Sequence, residues 1–202
     1  MADAGATSGP VETETRLLAA AAEVFAERGY AGAGVAEIAR RAGLTTGAIY
    51  SRYRGKAELL VRALDTIIAD HLEAVINAPG SATGPEMLAT LGAQILESDE
   101  QETLSAALLL EATVAARRDV DLAAMLDRRL EDERMRVTKI LDQARAEGLF
   151  DPALDTEAVL TFIQAIGLGF MMFRTMGTPM PDADAWQVWI DRVIQAALPP
   201  AT

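Results

Sequence analysis

Apolar residues return every three or four positions along nearly the whole of this 202-residue chain, and no run alternates β-branched with polar residues over the length of a strand. A period near 3.6 lays one apolar stripe along a helix, whereas a half-buried strand needs a period of two, so the pattern restricts the chain to an all-α fold. Abundant alanine favours the same outcome. Glycine and proline then cut the pattern into about nine helices: Thr13–Arg28, Val35–Ala42, Thr46–Tyr53, Gly55–Ile76, Pro85–Glu97, Glu102–Arg117, Leu122–Glu147, Thr156–Met176 and Ala183–Leu198. Gly29 and Gly148 are expected C-terminal stops and Asp155 or Thr156 an N-cap, and Pro179 with Pro181 separates the last pair.

Several chemistries are excluded at this level. The chain has no cysteine, which removes disulfides, thiolate metal sites and thiol catalysis. Its single histidine, His71, lies between Asp70 and Glu73, but neighbours on a helix project in different directions and make a poor metal site. No HExxH, no glycine-rich phosphate loop and no paired acid and base have the spacing of an active site, so neither enzyme activity nor a cofactor is expected. Glu131, Asp132 and Glu133 interleave with Arg128, Arg129, Arg134 and Arg136 as on a solvated, salt-bridged helix. The N-terminus carries acids where a secretory signal would carry cations. No stretch approaches the roughly 20 uncharged apolar residues of a membrane span, so a cytoplasmic, membrane-free protein is expected.

Charge is divided unevenly. The formal net charge is −12, yet residues 1–62 hold eight Lys/Arg against seven Asp/Glu, and the remainder holds ten against twenty-three. Between Ala36 and Arg62, six cations (Arg40, Arg41, Arg52, Arg54, Lys56, Arg62) face only Glu37 and Glu58. Such a patch on so acidic a chain suits a polyanion.

The same stretch has the mechanics of a helix-turn-helix. In VAEIARRAGLTTGAIYSRY, Ile38, Ala39, Ala42, Leu44, Ile49 and Tyr53 fall where apolar side chains close a small core. Ala39 allows a close helix crossing, Gly43 can take the left-handed conformation, and Thr45 caps the second helix. Thr46, Gly47 and Ala48 give that helix a narrow leading edge able to enter a groove. Tyr50 follows core-facing Ile49 and so points outward beside Arg52. Lys56 stands in the first turn of the next helix, where the macrodipole disfavours a cation unless an anion is held there, and Glu58 is placed to reach back to the Gly55 N–H.

From Thr15 to about Leu60, through FAERGY, the nineteen residues above and KAELL, the chain resembles the N-terminal DNA-binding domain of the tetracycline-repressor (TetR) family of bacterial transcriptional regulators. The resemblance implies that the helix from Thr46 enters the major groove of double-stranded DNA. It places Thr45, Thr46, Gly47 and Arg52 near bases or the adjoining backbone, and gives Tyr50 and Lys56 to phosphates. The candidate DNA face is therefore Arg41, Thr45, Thr46, Gly47, Ala48, Tyr50, Arg52, Tyr53 and Lys56. Gly34 and Gly55 depart from the family's polar caps and leave only backbone donors there.

The expected organisation is an N-terminal arm over residues 1–12, a DNA-binding domain over 13–58 and a larger helical domain over 59–202 for effector binding and dimerisation. Phe162, Ile166, Phe170, Phe173, Trp186, Trp189, Ile190 and Val193 on the last two helices are the candidate dimer contacts, and the resemblance implies a four-helix bundle there. Met87, Leu91, Gln94, Ile95, Leu108, Glu111, Met125, Met171 and Met172 are the candidate lining of an effector cavity, with Gln164 a further polar candidate. Soft apolar side chains of this kind suit an apolar or cationic small molecule. The leading expectation is a homodimeric regulator, a repressor, on a palindromic operator. The alternative is a helical ligand-binding or interaction protein that no longer binds DNA.

Overall fold

The computed structural model describes residues 9–76 and 100–199, with side chains over 9–67 and 103–199. Among the described residues there are eight helices and no strand: α1 Pro10–Gly32, α2 Val35–Ala42, α3 Thr46–Tyr50, α4 Lys56–Ile76, α5 Glu100–Ala116, α6 Val120–Ala146, α7 Thr156–Thr175 and α8 Ala183–Ala197. The all-α expectation holds, and most ends agree within two residues. The third helix is shorter than expected, ending at Tyr50 with a turn over the next two residues. The helix expected over Pro85–Glu97 lies outside the described residues, as does the His71 side chain.

The chain forms two compact units, residues 1–67 with 108–126, and residues 68–107 with 127–202. The first takes in the start of α4 and the corner between α5 and α6. Its core is apolar and sealed: Leu17, Phe25, Ile38, Leu59, Leu60, Leu64, Leu108 and Leu122 have no exposed surface. Burying each such side chain favours folding by about 1.5–3 kcal/mol, which holds together helices that would be marginal alone. Pro10 opens α1, where its missing N–H costs nothing. Gly29, at φ 68° and ψ 167°, breaks the helical path as expected. At Gly43 (φ 66°) the chain reverses, and the Gly43 and Leu44 N–H groups donate back to the Arg40 and Ala39 carbonyls at 3.2 and 2.8 Å. Arg16 finishes the same helix end by donating from Nε to the Ala42 carbonyl at 2.9 Å.

In the second unit, Leu141, Ala144, Phe150 and Leu160 form a core against which Val137, Leu149, Leu154, Val159 and Ala197 pack. Arg145 fixes the link into α7: it donates to the Leu154 carbonyl at 2.6 Å and to Thr156 Oγ1, and its guanidinium carbon stands 5.3 Å from the Phe150 ring centre. Asp155 caps α7, accepting from Ala158 N–H at 2.8 Å, and Asp182 caps α8, accepting from Asp184 and Ala185 N–H groups.

One helix comes nearer to the length and composition of a membrane span than the sequence expectation allowed, although it carries Glu157 and Arg174. Helix α7 is long and apolar enough to cross a membrane by length and composition, with a mean hydropathy of 1.5. Its Glu157 and Gln164 accept hydrogen bonds from Arg134 on α6, so a polar edge ties the helix to its neighbour. The apolar excess is spread over a surface that its own chain leaves half open, with Phe162, Leu168 and Phe173 each about half exposed.

Candidate nucleic-acid interface

Helix α3 starts from a cap made by its own sequence. Thr45 is extended, and its Oγ1 accepts from Ala48 N–H at 3.1 Å, which satisfies one donor of the first turn. Ile49 is buried and anchors the helix, while Thr45, Thr46 and Gly47 are exposed, Ala48 is half-buried, and Tyr50 keeps 58% of its surface. A side chain at Gly47 would meet only the Thr45 hydroxyl, at 3.8 Å, which leaves a thin edge available to a groove. The Ser51 hydroxyl donates to the Ala48 carbonyl at 2.9 Å and closes the helix.

The basic stretch is less open than its composition implied. Glu37 binds three guanidinium groups: Arg40 at 2.7 Å, Arg41 at 3.2 Å and Arg28 at 3.4 Å. The hydrogen bond from Arg40 is the main reason that its carboxyl is lowered to about 2. Arg41 also donates to both oxygens of Glu27, which is lowered chiefly by that bond, and lies 3.6 Å from Glu23. Three carboxylates hold Arg41 against α1 and α2. Glu37 stands three and four residues before Arg40 and Arg41, a spacing that marks helix-surface ion pairs and could have warned of this. Arg62 lies 3.9 Å from Glu14 and 3.8 Å from Asp65. Arg52 and Arg54 remain, exposed and, among the described residues, with no ion pair or side-chain hydrogen bond. Arg54 was missed as a candidate because it lies in a turn that helical periodicity does not reach.

Two aromatic and cationic candidates have inward partners. Tyr53 is 5% exposed and its hydroxyl donates to Glu14 Oε1 at 3.1 Å; burial first, and that carboxylate second, push its phenol up. It closes the core, as its spacing also implied. Lys56 folds back onto the end of α1, donating to the Tyr30 carbonyl at 2.5 Å and to the Ala33 carbonyl at 3.4 Å, with its ammonium 4.4 Å from the Tyr30 ring centre. An ammonium has three N–H donors, so one is left over. Glu58 accepts from the Arg54 N–H at 2.7 Å rather than from Gly55, a shift of one residue from the expected capping box.

The effector-cavity candidates are divided between the two compact units, and four of them fall outside the described residues. Met87, Leu91, Gln94 and Ile95 lie outside the described residues. Leu108 is core of the first unit, and Glu111 Oε1 accepts the Tyr30 N–H at 2.5 Å, so neither is free to line a pocket. Met125 is half-buried in that unit; Met171 and Met172 belong to the second, where Met172 is exposed. Gln164 is held by Arg134 at 2.9 Å. A cavity of about 360 Å³ opens instead between α7, α8 and the link before α7, lined by Phe150, Leu154, Phe162, Ile166, Ile190 and Val193 among others, nearly all apolar. Four of these are dimer candidates. Ile190 is only 7% exposed and packs within its own chain. Trp186 meets Phe170 edge-on at 4.8 Å, whereas Trp189 and Phe162 stay more than half or half exposed.

The sequence pattern of the tetR family of bacterial regulatory proteins matches residues 17–63. SrpR, an HTH-type transcriptional regulator of Pseudomonas putida, is 45% identical over 53 residues, which span 26% of this chain and only 25% of that regulator. The HTH-type transcriptional repressor KstR2 of Mycobacterium tuberculosis is 30% identical over 152 residues, covering 73% of this chain and 74% of its own. Its solved structure, described as a ketosteroid transcriptional regulator, is 26% identical with a TM-score of 0.56 and covers 92% of this chain and 94% of that one. A TetR-family regulator from Rhodococcus sp. shares the fold with a TM-score of 0.81 at 19% identity, covering 93% and 99%. With a helix-turn-helix in place and a repressor matched over most of both chains, this protein belongs to the tetR family of bacterial transcriptional regulators.

Proposed function

We propose that the protein is a homodimeric transcriptional repressor that reads a palindromic operator in double-stranded DNA and answers to a small-molecule effector. The observation that carries this reading is the exposed edge of α3, with Tyr50 outward and the uncommitted guanidinium groups of Arg52 and Arg54 beside it, on a sealed apolar core. Thr46, Gly47 and Ala48 offer little paired hydrogen bonding to bases, so discrimination rests on Arg52, methyl contacts and DNA shape. Tyr50 and the third N–H of Lys56 serve phosphates, together with the uncapped N-terminus of α2, whose cap residue Gly34 has no side chain to fill it.

One such module makes too few base contacts to select one site in a genome, and a two-fold dimer doubles them. The half-exposed apolar surface of α7 and α8, with Phe162 and Trp189, supports self-association through these helices. The effector is taken to be apolar, in keeping with KstR2's description as a ketosteroid regulator and with the apolar composition of the second unit. Filling its site would release DNA only through unequal affinity for the DNA-competent and incompetent arrangements. The work is done where the DNA is, in the cytoplasm.

The test is a gel-shift titration of purified protein against genomic fragments over a range of salt. Specific retardation that weakens steeply with salt is expected. No retardation even at low salt would overturn the reading and select a helical interaction protein, the alternative that the internal pairing of Arg41 and Lys56 favours.

A further inference from the structure

Tyr30 is held at every polar atom. It follows the Gly29 break, and Glu111 Oε1 takes its N–H at 2.5 Å. Its hydroxyl donates to Asp119 Oδ2 at 2.7 Å, while Asp119 Oδ1 accepts from Leu122 N–H at 3.0 Å at the start of α6. Its carbonyl accepts from Lys56, and its ring lies under that ammonium and 6.1 Å from the Phe25 ring centre. The fit on the opposite side is equally close: a Cβ at Gly29 would come within 2.9 Å of Glu111 Oε1. Burial first and the Asp119 carboxylate second push the Tyr30 phenol up, and the Leu122 N–H followed by that phenol lowers Asp119.

These partners come from 81 and 89 residues further along the chain, on the corner that joins α5 to α6. Packing alone asks nothing so specific of a tyrosine backbone. The ammonium sits between the Tyr30 and Ala33 carbonyls, just before the open N-terminus of α2. A lysine on a free stem loses rotamer freedom when it meets a phosphate; one already fixed has lost it on folding.

We propose that Glu111 and Asp119 are positioning residues for DNA binding: by gripping Tyr30 they set the Lys56 ammonium beside the α2 N-terminus, ready for a phosphate. This rests on the DNA reading above. It gives Glu111, a residue whose sequence context suggested an effector contact, a task at the other end of the molecule's chemistry.

The experiment measures operator affinity against salt for the full-length protein and its variants, with circular dichroism melts alongside. Glu111→Ala is expected to weaken binding about tenfold, the scale of one charged hydrogen bond, and to flatten the salt slope by roughly 0.9. Glu111→Gln keeps a carbonyl acceptor for the Tyr30 N–H and restores both quantities. In a Lys56→Ala background, Glu111→Ala adds nothing further. Tyr30→Phe, which deletes only the bond to Asp119, gives a smaller loss with the same flattening and decides the matter should Glu111→Ala not fold. Folded Glu111→Ala or Tyr30→Phe with the wild-type affinity and slope would overturn the proposal, as would Glu111 and Lys56 losses that simply add. Wild-type protein that retards no fragment would instead sink the DNA reading, and this assignment with it.

Discussion

The two compact units handle their apolar side chains in opposite ways. In the first, Leu17, Phe25 and Ile38 are fully sealed, and Arg28, Arg40 and Arg41 are tied to carboxylates. In the second, Phe162, Phe173 and Trp189 remain about half exposed on α7 and α8 beside an apolar cavity. A unit that closes its own core can present a rigid polar edge to another molecule. A unit that leaves apolar helices uncovered offers a surface for the self-association proposed above.

This contrast can be broken most forcefully in the first core. Phe25→Ala removes a ring with no exposed surface, and a loss of about 3–5 kcal/mol in unfolding free energy is expected by chemical denaturation; a loss near zero would mean that the sealed core is not what holds the unit. Next comes the exposed pair. Phe162→Asp with Trp189→Asp should leave helix content intact yet weaken the proposed dimer, by about 2 kcal/mol or more per aromatic, seen by sedimentation as a shift to monomer. A variant that stays dimeric would move the interface elsewhere.

A finer comparison sets Arg52 against Arg41. Arg52→Ala should cost about 1–3 kcal/mol of operator binding and relax sequence preference, since its guanidinium is uncommitted. Arg41→Ala should leave DNA affinity nearly unchanged and lower stability by well under 1 kcal/mol, because partly exposed pairs contribute little. Equal effects on DNA would erase the distinction between the two. The smallest effect follows from Glu37. Its folded value is depressed from the ordinary 4.5 to about 2, so its contribution is present above pH 4.5 and fades as pH falls through that interval. A thermal melt series with Glu37→Gln should show a flatter acid limb than wild type between those two values.

The helical scaffold was readable because its signals are local. Gly29, Gly43 and Asp155 act on their own backbone or the next turn, and each does in the fold what its neighbours along the chain imply. The groups on the candidate DNA face were only half readable. Exposure of Tyr50 and the Thr45 cap follow from helix phase, but the destinations of Arg41, Tyr53 and Lys56 depend on carboxylates and carbonyls contributed by α1, 14 to 39 residues away. The Tyr30 clamp was invisible for the same reason in stronger form, since its partners are more than 80 residues distant. Periodicity marks which face of a helix is greasy and says nothing of which helix will cover it. That is why the apolar cavity gathers residues whose patterning had pointed to a dimer contact.

Glu37 serves Arg28, Arg40 and Arg41 at once, without belonging to the edge proposed to meet DNA. Exchanging this one acid for a neutral residue would unmask positive potential across α2 and raise the grip on any duplex, whatever its sequence. Selectivity in such a regulator is thus adjustable from a position that never touches a base, by setting how strongly it clings to all the wrong ones.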